Sequence, residues 1–143
     1  MYRLLHLVKK QVAAYDLEHV SFEGFQQPKP YYERASILLF TSEYEGFPLV
    51  LAECMSFGVI PVVYDSYSAV RDIIDDGKDG VVILYEKNGY DADKAAGILA
   101  QIMQNDSLHD MMAHAAIEKS KVYSVERIYQ EWMRTLTALV KNG

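Results

Sequence analysis

The chain has 143 residues, half of them apolar, so we predict that residues 1–143 form one domain with a packed core. Its formal net charge of −6 argues against nucleic acid as the main partner and leaves no basic face for a membrane surface. The lone cysteine, Cys54, excludes an internal disulfide and fits a reducing compartment, and no apolar run approaches the roughly 18–20 residues that span a bilayer.

The first part of the chain predicts a helix and a short strand. Apolar residues recur every four positions at Leu4, Val8 and Val12, which is typical of an amphipathic helix over residues 1–15. No capping residue precedes this pattern, so we expect the sequence to be a fragment of a longer protein. Val20–Phe22 is a candidate for a brief strand.

The rest of the chain alternates apolar strands with helices. Three short apolar runs predict buried strands: residues 36–40, 59–63 and 81–84. Pro48 suits the first turn of a helix that Gly58 would end, and further helices are predicted over 69–75 and from Asp91 onward, the last capped by Ser124. This order indicates an α/β fold, a Rossmann-like parallel sheet with flanking helices and a helical C-terminal end.

Loops that follow the predicted strands should meet at one edge of the sheet. In sheets of this kind, ligands bind outside the carboxyl ends of the strands. The turn at Gly24–Phe25 and the loops over 41–47, 65–68 and 85–88 would all lie at that edge. The sequence therefore places the loop that enters the helix after Pro48 in a ligand-binding position.

Two glutamates flank the start of that helix. The free N–H groups from Gly46 to Val50 and the positive end of the helix dipole suit a phosphate. Glu53 lies about 7–8 Å along the helix axis, where a carboxylate would repel a phosphate and suits hydroxyls such as a ribose diol. Glu45, on the loop, would face a group beyond the phosphates. Phosphate, diol and a further hydroxylated group together indicate a nucleotide-sugar.

Other chemistries fit these residues poorly. Eight helical residues span about 12 Å, whereas a glycosidase needs its two carboxylates roughly 5–9.5 Å apart. His109 and His114 are five positions apart and do not share one helix face, so we predict no metal site. Cys54 is interpreted as a small apolar core residue rather than a nucleophile.

The segment from Ser42 to Val63 resembles the donor-binding motif of retaining glycosyltransferases of the GT-B fold, the group 1, family-4-like transferases of bacterial surface glycans. That motif has two glutamates separated by seven residues, then a glycine and an apolar-Pro-apolar-apolar run. Both parts are present here in register: Glu45, Glu53, Gly58 and Pro61. Residues 71–82 are similar to a later segment of the same family. The resemblance extends from about His19 to the C-terminal helix.

The resemblance implies a role for each motif residue. Glu53 would hold the ribose hydroxyls of the donor, and Glu45 would be the catalytic residue, facing the donor sugar near its anomeric centre. The turn and helix start between them would contact the diphosphate or sugar, chiefly through backbone N–H groups: Gly46, Phe47, Pro48, Leu49 and Val50. The turn Gly24, Phe25 and Gln26 would meet the nucleobase. The implied substrate is a UDP- or GDP-sugar, with no metal and no cofactor.

Several family features are missing. The Arg/Lys pair that neutralises the donor diphosphate comes from an upstream strand–loop–helix, and no basic residue here lies in that context. The acceptor-binding N-terminal domain is also absent. We therefore expect an N-terminally truncated C-terminal half of a GT-B fold, inactive alone. Ser66–Ser68 replaces a Gly-rich loop and Asp72 replaces a Glu, so the sugar specificity stays open.

The resemblance implies transfer of a hexose to a surface polysaccharide, lipopolysaccharide or lipid-linked acceptor. The protein would be cytoplasmic, held at the inner face of the membrane through the missing domain. A sucrose- or glycogen-synthase-type transferase remains open, as does a non-catalytic α/β domain that binds a nucleotide or protein partner in a regulatory role. The missing domain would leave apolar residues exposed, including Trp132 or Leu4, and we expect artificial dimers.

Overall fold

The computed structural model of the chain describes residues 2–84, 86 and 89–141. Within these residues helices and strands alternate along most of the chain, as predicted. The elements in chain order are α1 (Tyr2–Ala14), α2 (Lys29–Tyr32), β1 (Ile37–Phe40), α3 (Leu49–Ser56), β2 (Ile60–Asp65), α4 (Val70–Ile73), β3 (Val81–Leu84), α5 (Ala92–Met103), α6 (Asp106–Ser120), a 3₁₀ turn (Lys121–Tyr123) and α7 (Val125–Lys141).

The three strands form one parallel sheet in the order β1-β2-β3, which confirms the predicted fold class. Ile37 is paired with Ile60 and Val62 with Val81, so the carboxyl ends of all three strands lie at the same edge. The central strand β2 is buried on both faces, in agreement with its continuous apolar run. At the sheet edge, Leu39 of β1 is 44% exposed, so the prediction of a fully buried first strand was wrong. Only β2 pairs with β1 among the described residues.

Side chains alternate along β2 and divide the core into two clusters. Val63 faces α3 and α4, where it packs with the fully buried Leu51 and Met55. Ile60 and Val62 point the other way, toward α5 and α6. Each fully buried aliphatic side chain contributes about 1.5–3 kcal/mol relative to an exposed one. The helices are thus held on both faces of the sheet by the same strand.

Two glycines have a conformational or steric reason to be where they are. Gly58 has φ +75° and follows α3, so it ends this helix as predicted. A Cβ on Gly80 would lie 2.8 Å from both the Cγ and the carbonyl oxygen of Pro61, and 2.9 Å from a methyl group of Ile74. The chain can pass this close to β2 only because residue 80 has no side chain.

A carboxylate is buried in the turn that precedes β3. Asp79 is 1% exposed, and its Oδ1 accepts a hydrogen bond from the backbone N–H of Asp75 at 2.9 Å. Its Oδ2 has no hydrogen-bond partner among the described residues, and burial raises the pKa of this carboxyl group. Lys119 donates to Asp75 Oδ1 at 2.9 Å, and this bond lowers the pKa of Asp75. The turn is therefore fixed to α6 by one half-buried ion pair beside one buried acid.

Some sequence predictions fail because burial depends on distant elements. Val20–Phe22 is not a strand, since no other strand of the described chain pairs with it. Leu49, expected in the core, is 64% exposed at the start of α3, and Met103 and Met111 are exposed as well. Their helices form as predicted, but neighbouring elements cover only part of each apolar stripe.

The two terminal helices expose apolar faces. The predicted N-cap of α7 is confirmed, because Ser124 Oγ accepts a hydrogen bond from the N–H of Arg127 at 3.2 Å. Large apolar side chains are exposed on α1 and α7: Leu4, Leu5, Leu7, Val8, Val125, Ile128, Tyr129, Trp132, Met133, Leu136, Leu139 and Val140. The expected exposure of Leu4 and Trp132 is confirmed. No helix in the described part of the chain is long and apolar enough to cross a membrane.

Candidate functional site

The loop between β1 and α3 lies at the carboxyl edge of the sheet and leads into a helix start. Pro48 stands at the N-cap position of α3, and its carbonyl accepts a hydrogen bond from the N–H of Leu51 at 3.0 Å. The N–H groups of the first turn of a helix, here those of Leu49 and Val50, have no partner within the helix. The helix start predicted from Pro48 is confirmed, and its free donors face the edge where a ligand would bind.

Glu45 belongs to a small cluster of loop residues at this edge. Its Oε1 accepts a hydrogen bond from Ser42 Oγ at 2.8 Å, and the side chain is otherwise exposed. Ser66 Oγ, in the loop after β2, donates to the backbone carbonyl of Ser42 at 2.8 Å. The predicted meeting of the loops over 41–47 and 65–68 is therefore confirmed. Of the loop over 85–88, residues 85, 87 and 88 lie outside the described residues.

Tyr67 stands beside this cluster. Its ring packs against the buried core under α3, and its hydroxyl is buried without a hydrogen-bond partner in the described part of the chain. Burial, and secondarily the negative charge of Glu45, raises the pKa of Tyr67 to about 12. The hydroxyl therefore keeps its proton at neutral pH and can act as a donor. Sequence reasoning noticed that Ser66–Ser68 departs from the family pattern but attached no role to the tyrosine.

An ion pair also lies at the carboxyl edge. Asp65, the last residue of β2, accepts two hydrogen bonds on Oδ2, from Arg71 Nη2 at 2.6 Å and from Arg71 Nε at 3.1 Å. Arg71 belongs to α4 and its side chain is half-exposed. Asp65 thus fixes the guanidinium group of Arg71 at the carboxyl edge of the sheet. Spacing alone did not indicate this pair, because a turn separates the two residues.

Glu53 lies on the exposed face of α3, away from the Glu45 cluster. Its side chain lines a cleft of about 570 Å³ between α3 and the corner where α6 passes into α7. That volume lies within the roughly 300–1,000 Å³ typical of small-molecule sites. The cleft is lined by residues of both walls: Leu49, Ala52, Glu53, Ser56, Ile117, Ser120, Lys121, Tyr123, Ser124 and Val125. Glu45 and Glu53 therefore lie on two different surfaces near the start of α3.

Tyr123 connects the far wall of the cleft to the loop of Glu45. Its ring centroid lies 5.6 Å from that of Phe47, and its hydroxyl donates to the backbone carbonyl of Asp72 at 2.8 Å. Through Tyr123 the α6–α7 corner thus contacts both the loop before α3 and the end of α4. Sequence reasoning missed this arrangement, because Tyr123 lies 76 positions after Phe47 in the chain.

The turn proposed for the nucleobase is formed but stands apart. Gly24 has φ +69°, and Gln26 Nε2 donates to the carbonyl of Glu23 at 3.0 Å. Phe25 is 99% exposed. Within the described ranges, no hydrogen bond joins this turn to the loop of Glu45. Contact of Gly24, Phe25 and Gln26 with a base stays a prediction.

The described residues offer neither a reactive thiol nor a metal site. Cys54 is buried in α3, and burial raises the pKa of its thiol to about 12, which agrees with its reading as a core residue. Its Sγ donates to the carbonyl of Leu51 at 3.2 Å. Within residues 2–84, 86 and 89–141, no group of three or more His, Cys, Asp or Glu side chains has the geometry to hold a metal ion.

A family model described as glycosyl transferases group 1 matches residues 5–119 of the chain. The chain is 26% identical over 136 residues to the poly(glycerol-phosphate) alpha-glucosyltransferase of Bacillus subtilis, and 30% identical over 129 residues to the amylovoran biosynthesis glycosyltransferase AmsD of Erwinia amylovora. These matches cover 94% and 90% of this chain but only 20% and 34% of the relatives. The chain thus corresponds to a fifth to a third of their length.

Two solved structures share the fold. HepE of Anabaena, in complex with UDP and glucose, superposes with a TM-score of 0.81 at 21% identity, over 94% of this chain and 36% of that chain. The sucrose-phosphate synthase of Thermosynechococcus elongatus gives a TM-score of 0.80 at 19% identity, over 95% of this chain and 34% of that chain. At these identities the likeness establishes the fold, which is that of GT-B glycosyltransferases.

Proposed function

The chain belongs to the glycosyl transferases group 1 family, and we propose that it is the nucleotide-sugar-binding part of a retaining glycosyltransferase that moves a hexose onto a surface glycan or lipid-linked acceptor. The observation that carries this proposal is the loop–helix unit Glu45–Glu53 at the carboxyl edge of a parallel sheet. Ligands of such sheets bind at that edge. HepE, with the same fold, is described with UDP and glucose bound, which supports UDP as the nucleotide.

In this proposal the donor contacts two surfaces of α3. The free N–H groups of Leu49 and Val50 at the helix start would face the diphosphate. Glu53, exposed on the helix face, would accept hydrogen bonds from the ribose hydroxyls. Glu45, held by Ser42, would face the sugar near its anomeric carbon. Each carboxylate would thus meet hydroxyl groups rather than phosphate oxygens.

The acceptor, the location and the rest of the protein are also part of the proposal. The names of two relatives refer to amylovoran biosynthesis and to poly(glycerol-phosphate), so we infer a polymeric or lipid-linked acceptor. The acceptor domain and the Arg/Lys pair for the diphosphate would be supplied by sequence outside these 143 residues. The enzyme would work in the cytoplasm, at the inner face of the cell membrane. A reading frame that encodes a further α/β domain with an Arg/Lys-bearing loop directly upstream would support this, whereas an unrelated module there would favour the regulatory alternative.

The first test is a titration of the chain with UDP, GDP and ADP, in which binding is measured by calorimetry or by NMR chemical shifts. We expect weak, millimolar binding of one nucleotide and loss of that binding in Glu53→Ala, because a ribose diol then loses its acceptor. Glu131→Ala, which removes an exposed glutamate from the middle of α7, is the matched control and should bind like the wild type. If the longer protein that contains this domain also binds none of the three nucleotides, the proposal is wrong.

A further inference from the structure

The hydroxyl of Tyr67 is an unsatisfied hydrogen-bond donor among the described residues. Tyr67 lies in the loop after β2; its hydroxyl is buried and has no partner among the described residues. A buried polar group without a partner costs free energy, so its presence beside a ligand-binding edge requires an explanation. The ring itself packs against the core under α3, and a phenylalanine would fill that space equally well.

The Tyr67 hydroxyl and the Glu45 carboxylate belong to two loops that meet at the carboxyl edge of the sheet. Burial raises the pKa of Tyr67, and the negative charge of Glu45 raises it further, but no hydrogen bond joins the two side chains. Among the described residues Glu45 has one hydrogen-bond partner, Ser42 Oγ, and its side chain is otherwise open to water. The loops of both residues are joined by the hydrogen bond from Ser66 to the Ser42 carbonyl, so they hold their relative position.

A donor sugar that covers Glu45 would remove the water that now solvates its carboxylate. A desolvated carboxylate needs hydrogen-bond donors in place of that water. Ser42 offers one, and the Tyr67 hydroxyl is the nearby buried donor that is still unused.

Resting on the proposed function, we propose that Tyr67 is a positioning residue for Glu45: in the donor-bound state its phenol hydroxyl donates a hydrogen bond to the Glu45 carboxylate. Glu45 is then held from two sides, by Ser42 and by Tyr67, in one orientation toward the sugar. The substrate class is unchanged, and the residue that orders the carboxylate stands in the Ser66–Ser68 loop.

The test compares the affinity for a nucleotide-sugar with that for the nucleotide alone. UDP, UDP-glucose, UDP-N-acetylglucosamine and GDP-mannose are titrated into the wild type, Tyr67→Phe, Glu45→Gln and the double variant. Tyr90→Phe is the matched control, because Tyr90 also has a buried hydroxyl without a partner in the described part of the chain but packs on the other face of the sheet, against Tyr64. Both tyrosine variants keep the ring and remove one hydroxyl.

We expect Tyr67→Phe to leave UDP binding unchanged and to weaken binding of the preferred nucleotide-sugar about tenfold, the loss of a hydrogen bond to a charged group. In the Glu45→Gln background the same change should have little further effect, and Tyr90→Phe should have none in either background. A merely structural role would weaken both ligands equally and would not couple to Glu45, and that result would overturn the inference. If neither the wild-type chain nor the longer protein that contains it binds any of these ligands, the proposed function and this inference are both overturned.

Discussion

The close approach of Gly80 to β2 leads to a stability prediction with an internal control. In Gly80→Ala the new methyl group would lie 2.8 Å from the Pro61 carbonyl oxygen, which belongs to the central strand and cannot move away alone. Overpacking of this kind costs about 1–3 kcal/mol. The lower entropy of the unfolded alanine chain offsets about 0.4–1 kcal/mol of that cost. The net expectation is a loss of about 1–2 kcal/mol in the free energy of unfolding.

Gly97→Ala is the matched change at a site without a steric conflict. Gly97 lies in the exposed middle of α5, and a Cβ there would meet no atom within 4 Å. Alanine is preferred over glycine in a helix interior, so this variant should gain about 0.5–1 kcal/mol. The two substitutions add the same atoms and should move stability in opposite directions.

Urea unfolding followed by circular dichroism measures both effects. For an m-value of about 2 kcal/mol/M, the midpoint should fall by roughly 0.5–1 M in Gly80→Ala and rise by a few tenths of 1 M in Gly97→Ala. A Gly80→Ala protein as stable as the wild type would show that residue 80 does not pass β2 as closely as described. Equal destabilisation in both variants would instead refute the steric argument, because it would point to an effect common to all glycine replacements.

Three further predictions concern single side chains. Asp79→Asn should be more stable than the wild type, and its advantage should grow as the pH rises above about 4. The pKa of Asp79 is raised in the folded protein, so the carboxyl group adds stability below its unfolded-state pKa, and this stability is lost as Asp79 ionises. Unfolding curves from pH 3 to 8 in which the stability difference between the two proteins does not widen would contradict this. Cys54 should react with a thiol reagent at pH 8 on the order of a thousandfold more slowly than free cysteine, and at the normal rate in denaturant, since its pKa is about 12. Trp132→Glu should weaken self-association of the isolated chain in analytical ultracentrifugation, because Trp132 is 63% exposed on the apolar face of α7; a wild type that stays monomeric at high concentration would refute that expectation.

Local sequence patterns were sufficient to predict the main elements and the position of the candidate site. The strands predicted over 36–40, 59–63 and 81–84 are short apolar runs, and their pairing in a parallel sheet follows from the helices that lie between them. Pro48 and Ser124 stand at helix starts, where their backbone and side-chain chemistry favours them. These signals act within a few residues of the chain, so the sequence contains them completely.

Tertiary structure alone decided which of those elements are covered and what surrounds the site. Val20–Phe22 has strand-like residues but no pairing partner in the described chain, and Leu49 is apolar yet exposed because it lines the open cleft between α3 and the α6–α7 corner. Two contacts that define the site join residues far apart in sequence, the bond of Ser66 to Ser42 and the packing of Phe47 on Tyr123. Spacing cannot predict such contacts, since they depend on how separate helices and strands come together in the fold.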